Sequence, residues 1–179
     1  GDENVCIGSS AGYALTTANK CVFIGRQAGD AVTVTNGGAS DGTVGIGYQS
    51  LTALTTGARN TATGFKSLCA VTTGIRNTGS GMYAVVNTTT GSCNVALGYN
   101  SGPSGAALNN TVAIGDNVSV TASNSTVIGN SSTTSTTIFG TVSAPDGIFG
   151  GVMESGLADP EIVEHEEGTV LVWENGHLI

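Results

Sequence analysis

A five-residue phrase recurs along this chain at a nearly fixed spacing, and it constrains the fold more than any other feature. The phrase runs from Asn or Thr through Val or Thr, a small residue and Ile or Leu to a closing glycine. The closing glycines are separated by 17, 22, 17, 17, 17, 17, 14 and 11 residues. A fixed period in this range is typical of a solenoid, in which each repeat is one coil that stacks on its neighbours to bury its apolar residues. The closing glycines are Gly8, Gly25, Gly47, Gly64, Gly81, Gly98, Gly115, Gly129 and Gly140.

The residues inside the phrase alternate as they do in a β-strand. The third residue before the closing glycine is Val or Thr, and the residue directly before the glycine is most often Ile. Because strand side chains alternate, these two columns point to one face and the residue between them points to the other. The sequence therefore predicts an all-β fold, a parallel β-solenoid in which each glycine turns the chain towards the next side of the coil.

The residue between the two columns is small in most phrases, and we predict that it lies at a tightly packed contact in an obligate homotrimer. In the first phrase Cys6 takes this small slot and is interpreted as a buried substitute for alanine. Thr63 and Ser80 replace the Ile column, which predicts that residues 60–91 are the part of the shaft least protected from hydrogen exchange. The small column comprises Ala62, Gly79, Ala96 and Ala113.

Composition divides the chain into two predicted domains, a repeat shaft over residues 1–143 and an acidic C-terminal module over residues 144–179. The shaft carries five acidic and five basic side chains, whereas the module carries eight acidic side chains and accounts for the whole net charge of −8. Residues 169–173 and 178–179 flank an Asn-Gly pair, which predicts a small hairpin. We expect the module to cap the rod or join it to a neighbour, and an insertion near residues 36–42 to form a loop.

The charge pattern excludes two classes of partner. A neutral shaft followed by an acidic module has no basic stripe that could bind a phosphate backbone, so no nucleic-acid binding is predicted. The same pattern argues against a polybasic membrane-surface site. No window approaches the ~20 apolar residues of a membrane-spanning helix, so no membrane insertion is predicted.

Few residues are suited to catalysis or metal binding. The four cysteines form no CxxC pair and fit no zinc spacing, and no disulfide pairing is assigned. His165 lies among Glu164, Glu166 and Glu167, a run that a solvated acidic surface explains as well as a cation site does. The scattered acids of the shaft offer no paired carboxylates for glycan cleavage. We therefore predict a protein that is not an enzyme, holds no metal and needs no cofactor.

Large, charged or amide-bearing residues follow the closing glycines and are the candidates for binding. Aromatic and amide side chains on a rigid surface suit contact with a glycan or a protein. Packing between coils or between chains is the alternative interpretation for most of them. The candidates are Arg26, Gln27, Tyr48, Gln49, Phe65, Lys66, Met82, Tyr83, Tyr99 and Asn100.

Several repeats resemble those of known fibre proteins. The stretches TVGIGYQSL at 43–51, NTATGFKSL at 60–68 and NVALGYNS at 94–101 resemble repeats of bacteriophage tail-fibre and other virion-fibre proteins. NTVAIGDNVSVTAS at 110–123 is similar to the head repeats of trimeric autotransporter adhesins. The resemblance covers about residues 4–143. It implies a left-handed β-roll with three chains around a common axis, which presents a surface to a host outside the cell.

Together these features predict a structural and adhesive fibre subunit of a virion, such as a phage tail fibre, that displays a host-recognition surface. The expected partners are further copies in a homotrimer, other virion or fibre proteins, and a glycan or protein of the host surface. The expected location is the virion surface or the extracellular space. Three alternatives stay open: the head of a bacterial trimeric surface adhesin, an ice-binding solenoid and a polysaccharide-degrading spike. Ice binding requires a flat Thr-x-Thr column, whereas these threonines cluster at turns.

Overall fold

The eight phrases that lie within the described residues form three-residue strands, and these strands stack in chain order into one parallel sheet. Equivalent residues of successive phrases pair directly, as Ala62 does with Gly79. A second parallel pair, β7 with β9, lies within the later coils. The shaft is therefore the predicted parallel β-solenoid. Its strands are β1 Val5–Ile7, β2 Val22–Ile24, β3 Val44–Ile46, β4 Thr61–Thr63, β5 Thr78–Ser80, β6 Val95–Leu97, β7 Gly102–Pro103, β8 Val112–Ile114, β9 Ser119–Val120 and β10 Thr126–Ile128.

The structure, a computed structural model, describes residues 1–32 and 42–136 and the backbone of three strands nearer the C-terminus. The chain divides into two compact units, Gly1–Thr136 and Thr137–Ile179. Most of the predicted insertion at 36–42, the ninth phrase beyond Thr136 and the predicted boundary at 143/144 lie outside the described residues.

The C-terminal unit contains a small antiparallel sheet. Its strands are β11 Glu161–Glu164, β12 Val170–Glu174 and β13 His177–Leu178. Trp173 pairs with Leu178 and Glu174 pairs with His177, so β12 and β13 flank the Asn-Gly pair as antiparallel neighbours. The predicted hairpin is confirmed at this position, and β11 adds a third strand that the sequence pattern did not indicate.

The closing glycines are required by close contact between coils. From Gly8 to Gly115 their φ angles lie between 126° and 136°, a region that residues with a Cβ rarely adopt. A Cβ added to Gly64 would lie 2.5 Å from the carbonyl oxygen of Gly81 in the next coil. The predicted role of these glycines, a bend combined with a close approach, is confirmed.

Corners of the coil are formed by residues other than glycine as well. Among the residues that the structure describes, seventeen non-glycine residues have φ between 47° and 61°, the left-handed conformation. In one central coil these residues are Lys66, Leu68 and Arg76, and their counterparts recur at the same spacing in neighbouring coils. Hydrogen bonds between coils hold this backbone in place; the Leu68 N–H, for example, donates to the Ala84 carbonyl at 2.9 Å.

The small column lies inside the coil, which corrects the prediction of an interchain contact. Ala62, Ala96 and Ala113 are fully buried within a single chain. A Cβ added to Gly79 would collide with the Leu68 side chain, because the coil interior is narrow. This column therefore packs against the coil's own leucine and valine residues and is not available to a neighbouring chain. The remaining core residues include Leu51, Leu54, Leu68, Val71 and Val85.

Two further predictions change with this placement. Cys6 is exposed and not buried as predicted. Its strand, β1, is the first of the long sheet, and no described coil stacks on its free side. Thr63 and Ser80 point outwards, so the missing isoleucines leave the interior of residues 60–91 intact. The basis for weak protection in this span is removed, and we now expect its amides to be as protected as those of neighbouring coils.

A ladder of buried asparagines runs through the same coils. The side-chain oxygen of Asn60 accepts from the Asn77 backbone N–H at 2.9 Å, and that of Asn77 accepts from the Asn94 N–H at 3.0 Å. Each side-chain amide donates to a backbone carbonyl, as Asn77 does to Gly91 at 2.9 Å. Thr111 ends the ladder by donating its hydroxyl to Asn94 at 2.8 Å. Each asparagine thus supplies hydrogen-bond partners to buried backbone N–H and C=O groups, which would cost folding free energy if they were left unpaired.

Replacement of Gly64 by Ala should destabilise the shaft, because the residue would need both a positive φ and space occupied by the Gly81 carbonyl. We expect a loss of about 2 kcal/mol or more in the free energy of unfolding, measured by denaturant titration. Gly105→Ala is the control, because a Cβ there would meet only the Leu108 side chain at 3.2 Å or more. Equal losses in both variants would contradict the steric explanation.

Thr43→Asn should stabilise the shaft by extending the asparagine ladder. Thr43 is fully buried at the ladder position and its hydroxyl has no partner. The side-chain oxygen of an asparagine there would accept from the Asn60 backbone N–H, and its side-chain amide would donate to the Gly57 carbonyl. Asn60 makes the equivalent bond to the Gly74 carbonyl. We expect a gain of about 1–2 kcal/mol and a Tm higher by roughly 3–6 °C. Thr43→Val, which only removes the unpaired hydroxyl, is the control, and an equal gain there would exclude the ladder as the cause.

Candidate functional site: the outer face of the long sheet

One face of the long sheet is turned away from the coil interior, and we call it the outer face. It consists of the first and third residues of β1–β6, β8 and β10. The middle residue of most of these strands is buried, whereas the flanking residues are half-buried or exposed. Ile7, Ile128 and Leu97 are 58%, 51% and 41% exposed. A row of exposed branched aliphatic side chains along a sheet is the kind of patch that marks an interaction site.

The outer face is apolar at both ends and polar at its centre. β1–β3, β6 and β8 present Val, Ile and Leu, and β10 presents Thr126 together with Ile128. The two central strands instead present Thr61, Thr63, Thr78 and Ser80, which we call the hydroxyl patch. None of the outer-face residues carries a charge. Charged side chains begin only beyond the two ends of the strands.

Aromatic residues follow the closing glycines and border the outer face where the strands end. The rings of Tyr48 and Phe65 stack with centroids 5.1 Å apart and planes inclined by 12°. Phe65 then meets Tyr83 edge-on at 5.5 Å, and Tyr83 meets Tyr99 at 6.4 Å. The Arg26 guanidinium lies 5.7 Å from the Tyr48 ring centre, which extends the row by a cation–π contact. This row, from Arg26 to Tyr99, is the aromatic border.

The polar candidates predicted from the sequence lie beside the aromatic border. Gln49 donates to Gln27 at 3.1 Å, and Asn100 donates to Asn117 at 2.9 Å, so amides of successive coils pair with each other. The Lys66 ammonium lies 5.6 Å from the Phe65 ring centre. All the predicted binding residues are thus brought into two adjacent columns, although they are up to 74 residues apart in sequence.

Contacts within the aromatic border limit what it can bind. Because Tyr48 and Phe65 cover one face of each other's rings, those faces are not free to stack on a sugar. Met82 and Tyr99, each 43% exposed, and the edge of Phe65 remain accessible. The border therefore stabilises the stack of coils and offers ring edges, hydroxyls and a thioether to a partner.

Basic residues border the outer face where the strands begin. Arg59 and Arg76 each precede a ladder asparagine, adopt φ of 57° and are exposed, and Lys20 occupies the equivalent position with φ of 58°. We call this row the basic border. Sequence reasoning did not identify it, although one signal was present: each residue stands five positions before a closing glycine.

The threonines at the turns form two columns, and the hydroxyls of the first column bond to the next coil. Thr55 donates its hydroxyl to the Thr72 carbonyl at 3.1 Å, and Thr72 donates to the Thr89 carbonyl at 3.2 Å. These hydroxyls are used to join coils. On the outer face the Thr-x-Thr or Thr-x-Ser pattern occupies only two coils. Thr56, Thr73 and Thr90, the next residues of the same turns, are exposed, one in each coil.

Within the described parts of the chain, no group of three or more His, Cys, Asp or Glu residues is placed to hold a metal ion. His165 and its acidic neighbours have no described side chains. No disulfide joins the four cysteines, all of which lie in the described residues. Burial raises the pKa of the Cys69 thiol, and nearby Lys66 acts in the opposite direction. No helix in the described residues has the length and apolar character needed to cross a membrane.

Comparison of the chain with family models, with curated proteins and with solved structures found no match. The candidate site therefore rests on the geometry of this chain.

Phe65→Ala should destabilise the shaft more than its exposure implies, because two ring contacts are lost. We expect a loss of about 2 kcal/mol in the free energy of unfolding, since each aromatic pair adds ~0.5–1.5 kcal/mol beyond area burial. Tyr13→Ala is the control, because Tyr13 is 82% exposed; it should change stability by less than ~0.5 kcal/mol. Similar losses in the two variants would show that the ring contacts contribute no stability.

Proposed function

We propose that this chain is a structural and adhesive fibre subunit of a virion, such as a phage tail fibre, and acts as a homotrimer outside the cell. The observation that carries the proposal is the apolar outer face on a stack of coils with a continuous core. Ile7, Ile46 and Leu97 are exposed along that face at 58%, 37% and 41%. A face of this kind is stabilised by removal from water, which association of copies accomplishes.

The solenoid supplies the rod that a fibre needs. Every coil is joined to the next by parallel strand pairing and by turn hydrogen bonds such as Thr55 to Thr72. The rod grows by about 4.8 Å for each coil added, so its length follows from the number of repeats. In this role the protein works by display and is not an enzyme, and it requires no metal or cofactor.

The aromatic border and its amide neighbours are the proposed recognition surface. Met82, Tyr99 and Asn100 remain exposed beside the outer face, and three copies repeat each contact three times. Weak contacts to a host glycan or protein gain avidity from this repetition. Other virion or fibre proteins are the proposed partners at the ends of the rod.

The head of a bacterial trimeric surface adhesin is the second candidate. It is favoured by the 14-residue coil between β8 and β10, which keeps the same strand register as the 17-residue coils. This is the part of the sequence that is similar to adhesin head repeats. Both candidates use the same outer face for association of copies.

Charge placed on the outer face should prevent association. We expect the unmodified protein to sediment as a trimer at micromolar concentration, and the double variant Ile46→Glu, Leu97→Glu to sediment as a monomer, because its carboxylates would have to be desolvated. Asn87→Glu, an exposed position outside the strands, should leave the trimer unchanged. A well-folded monomer of the unmodified protein at this concentration would contradict the proposal.

The location can be tested by immunogold labelling with antibodies raised against the purified chain. Particles and cells from a culture that produces the native protein are labelled and imaged by electron microscopy. Gold on thin projections of virus particles supports the fibre proposal, whereas gold on the cell envelope alone supports the bacterial adhesin. Label on neither structure would overturn both assignments.

A further inference from the structure

The hydroxyl patch interrupts the outer face at its midpoint; the strands on both sides present aliphatic side chains, apart from Thr126 at the start of β10. Thr61, Thr63 and Ser80 are exposed and Thr78 is half-buried. Three strands of the long sheet lie on each side of the patch, β1–β3 before it and β6, β8 and β10 after it. The interior of the two central coils is as apolar as elsewhere, with Ala62 and Leu68 fully buried. The change in polarity is therefore confined to the side that faces outwards.

We propose that the hydroxyl patch sets the register in which neighbouring copies of this chain align along the outer face. The inference rests on the proposed association of copies through that face. When the copies are in register, the hydroxyls of one chain face those of the next and can hydrogen-bond to each other. The apolar columns on both sides then meet apolar columns.

A slip of one coil makes this arrangement unfavourable. The strands lie about 4.8 Å apart, so a displacement of that size places the Thr63 or Ser80 position against Ile46 or Leu97 of the neighbour. A hydroxyl buried against aliphatic groups without a partner is costly. A uniform aliphatic face would accept every slip almost equally. The polar patch thus discriminates among registers, as a single polar residue does in a coiled coil.

The basic border sets the relative direction of the copies. Arg59 and Arg76 lie at the start of β4 and β5, the two strands of the hydroxyl patch. If two copies ran antiparallel with their patches aligned, these arginines would face the same arginines of the partner along one border. In parallel copies the arginines of one chain instead face the aromatic border of the next chain, at Phe65 and Tyr83. The aromatic rings there do not repel a guanidinium group, and Lys66 is the one positively charged side chain that the structure describes beside them.

The test fills the patch with the residues that other coils use, in the quadruple variant Thr61→Val, Thr63→Ile, Thr78→Val, Ser80→Ile. The same side chains occur at these positions elsewhere in the sheet, so the coil interior is unchanged. The control is Thr56→Val, Thr73→Val, Thr90→Val, which changes exposed threonines that lie in turns. All three proteins, with the native patch, the filled patch and the turn control, carry serine in place of Cys6, Cys69 and Cys93.

Register and direction are read by double electron–electron resonance between spin-labelled copies. One population is labelled at Tyr13→Cys and a second at Ala107→Cys, about five coils or ~24 Å further along the stack. The two populations are refolded together, and their association is checked by sedimentation. A sample labelled only at Tyr13→Cys reports direction, because parallel copies bring those labels to the same end.

With the native patch we expect one narrow distance between labels 13 and 107, beside the distances between identical labels, and parallel copies in the sample labelled at one site. The filled variant should add peaks displaced by up to about 4.8 Å, the distance by which a one-coil slip moves one copy along the other, or should form heavier species. The turn control should match the native patch. A filled variant with the same single distance and the same mass overturns the register proposal while leaving trimer formation intact. A native-patch protein that stays monomeric overturns the proposed association itself.

Discussion

Hydrogen bonding between equivalent positions of successive coils is the interaction on which the rest of this structure depends. Parallel pairing of each phrase with the next places every residue directly above its counterpart about 4.8 Å away. Side chains of one kind therefore form columns: glycines whose Cα atoms face the next carbonyl, asparagines that bridge coils, and aromatic rings that stack. A substitution at one position is consequently felt by the coils above and below it.

The narrow interior of the coil follows from the same pairing. Short strands leave space inside for alanine, glycine and a few leucines and valines per coil, and the one large buried ring of the described coils, Phe23, lies beside Gly29 and Gly45. The valine and isoleucine columns therefore lie on the outside, where a single chain cannot bury them. The core of the coil and the proposed surface for association are opposite faces of the same three-residue strands.

The candidate site is a consequence of this stacking and not of a dedicated pocket. Residues such as Tyr48, Phe65 and Tyr99 are brought together only because each follows a glycine at the same point of its coil. Their mutual contacts stabilise the rod and leave exposed edges for a partner. The proposed fibre role uses both properties: stiffness along the stack and repeated weak contacts along its border.

The sequence by itself determined the period, the strands, the register and the role of the closing glycines, because each depends on local spacing. It also indicated the hairpin around the C-terminal Asn-Gly pair. Only the tertiary structure decided which strand face is inside, since alternation defines two faces but does not say which one a neighbouring segment covers. The positions of the buried asparagine ladder and the basic border are likewise decided by the tertiary structure, because they depend on the corners of the coil. The left-handed residues at these corners, such as Lys66 and Arg76, share no side-chain type that would mark them in the sequence. The direction of a corner is set by packing against the next coil, and a single phrase read alone does not contain that contact.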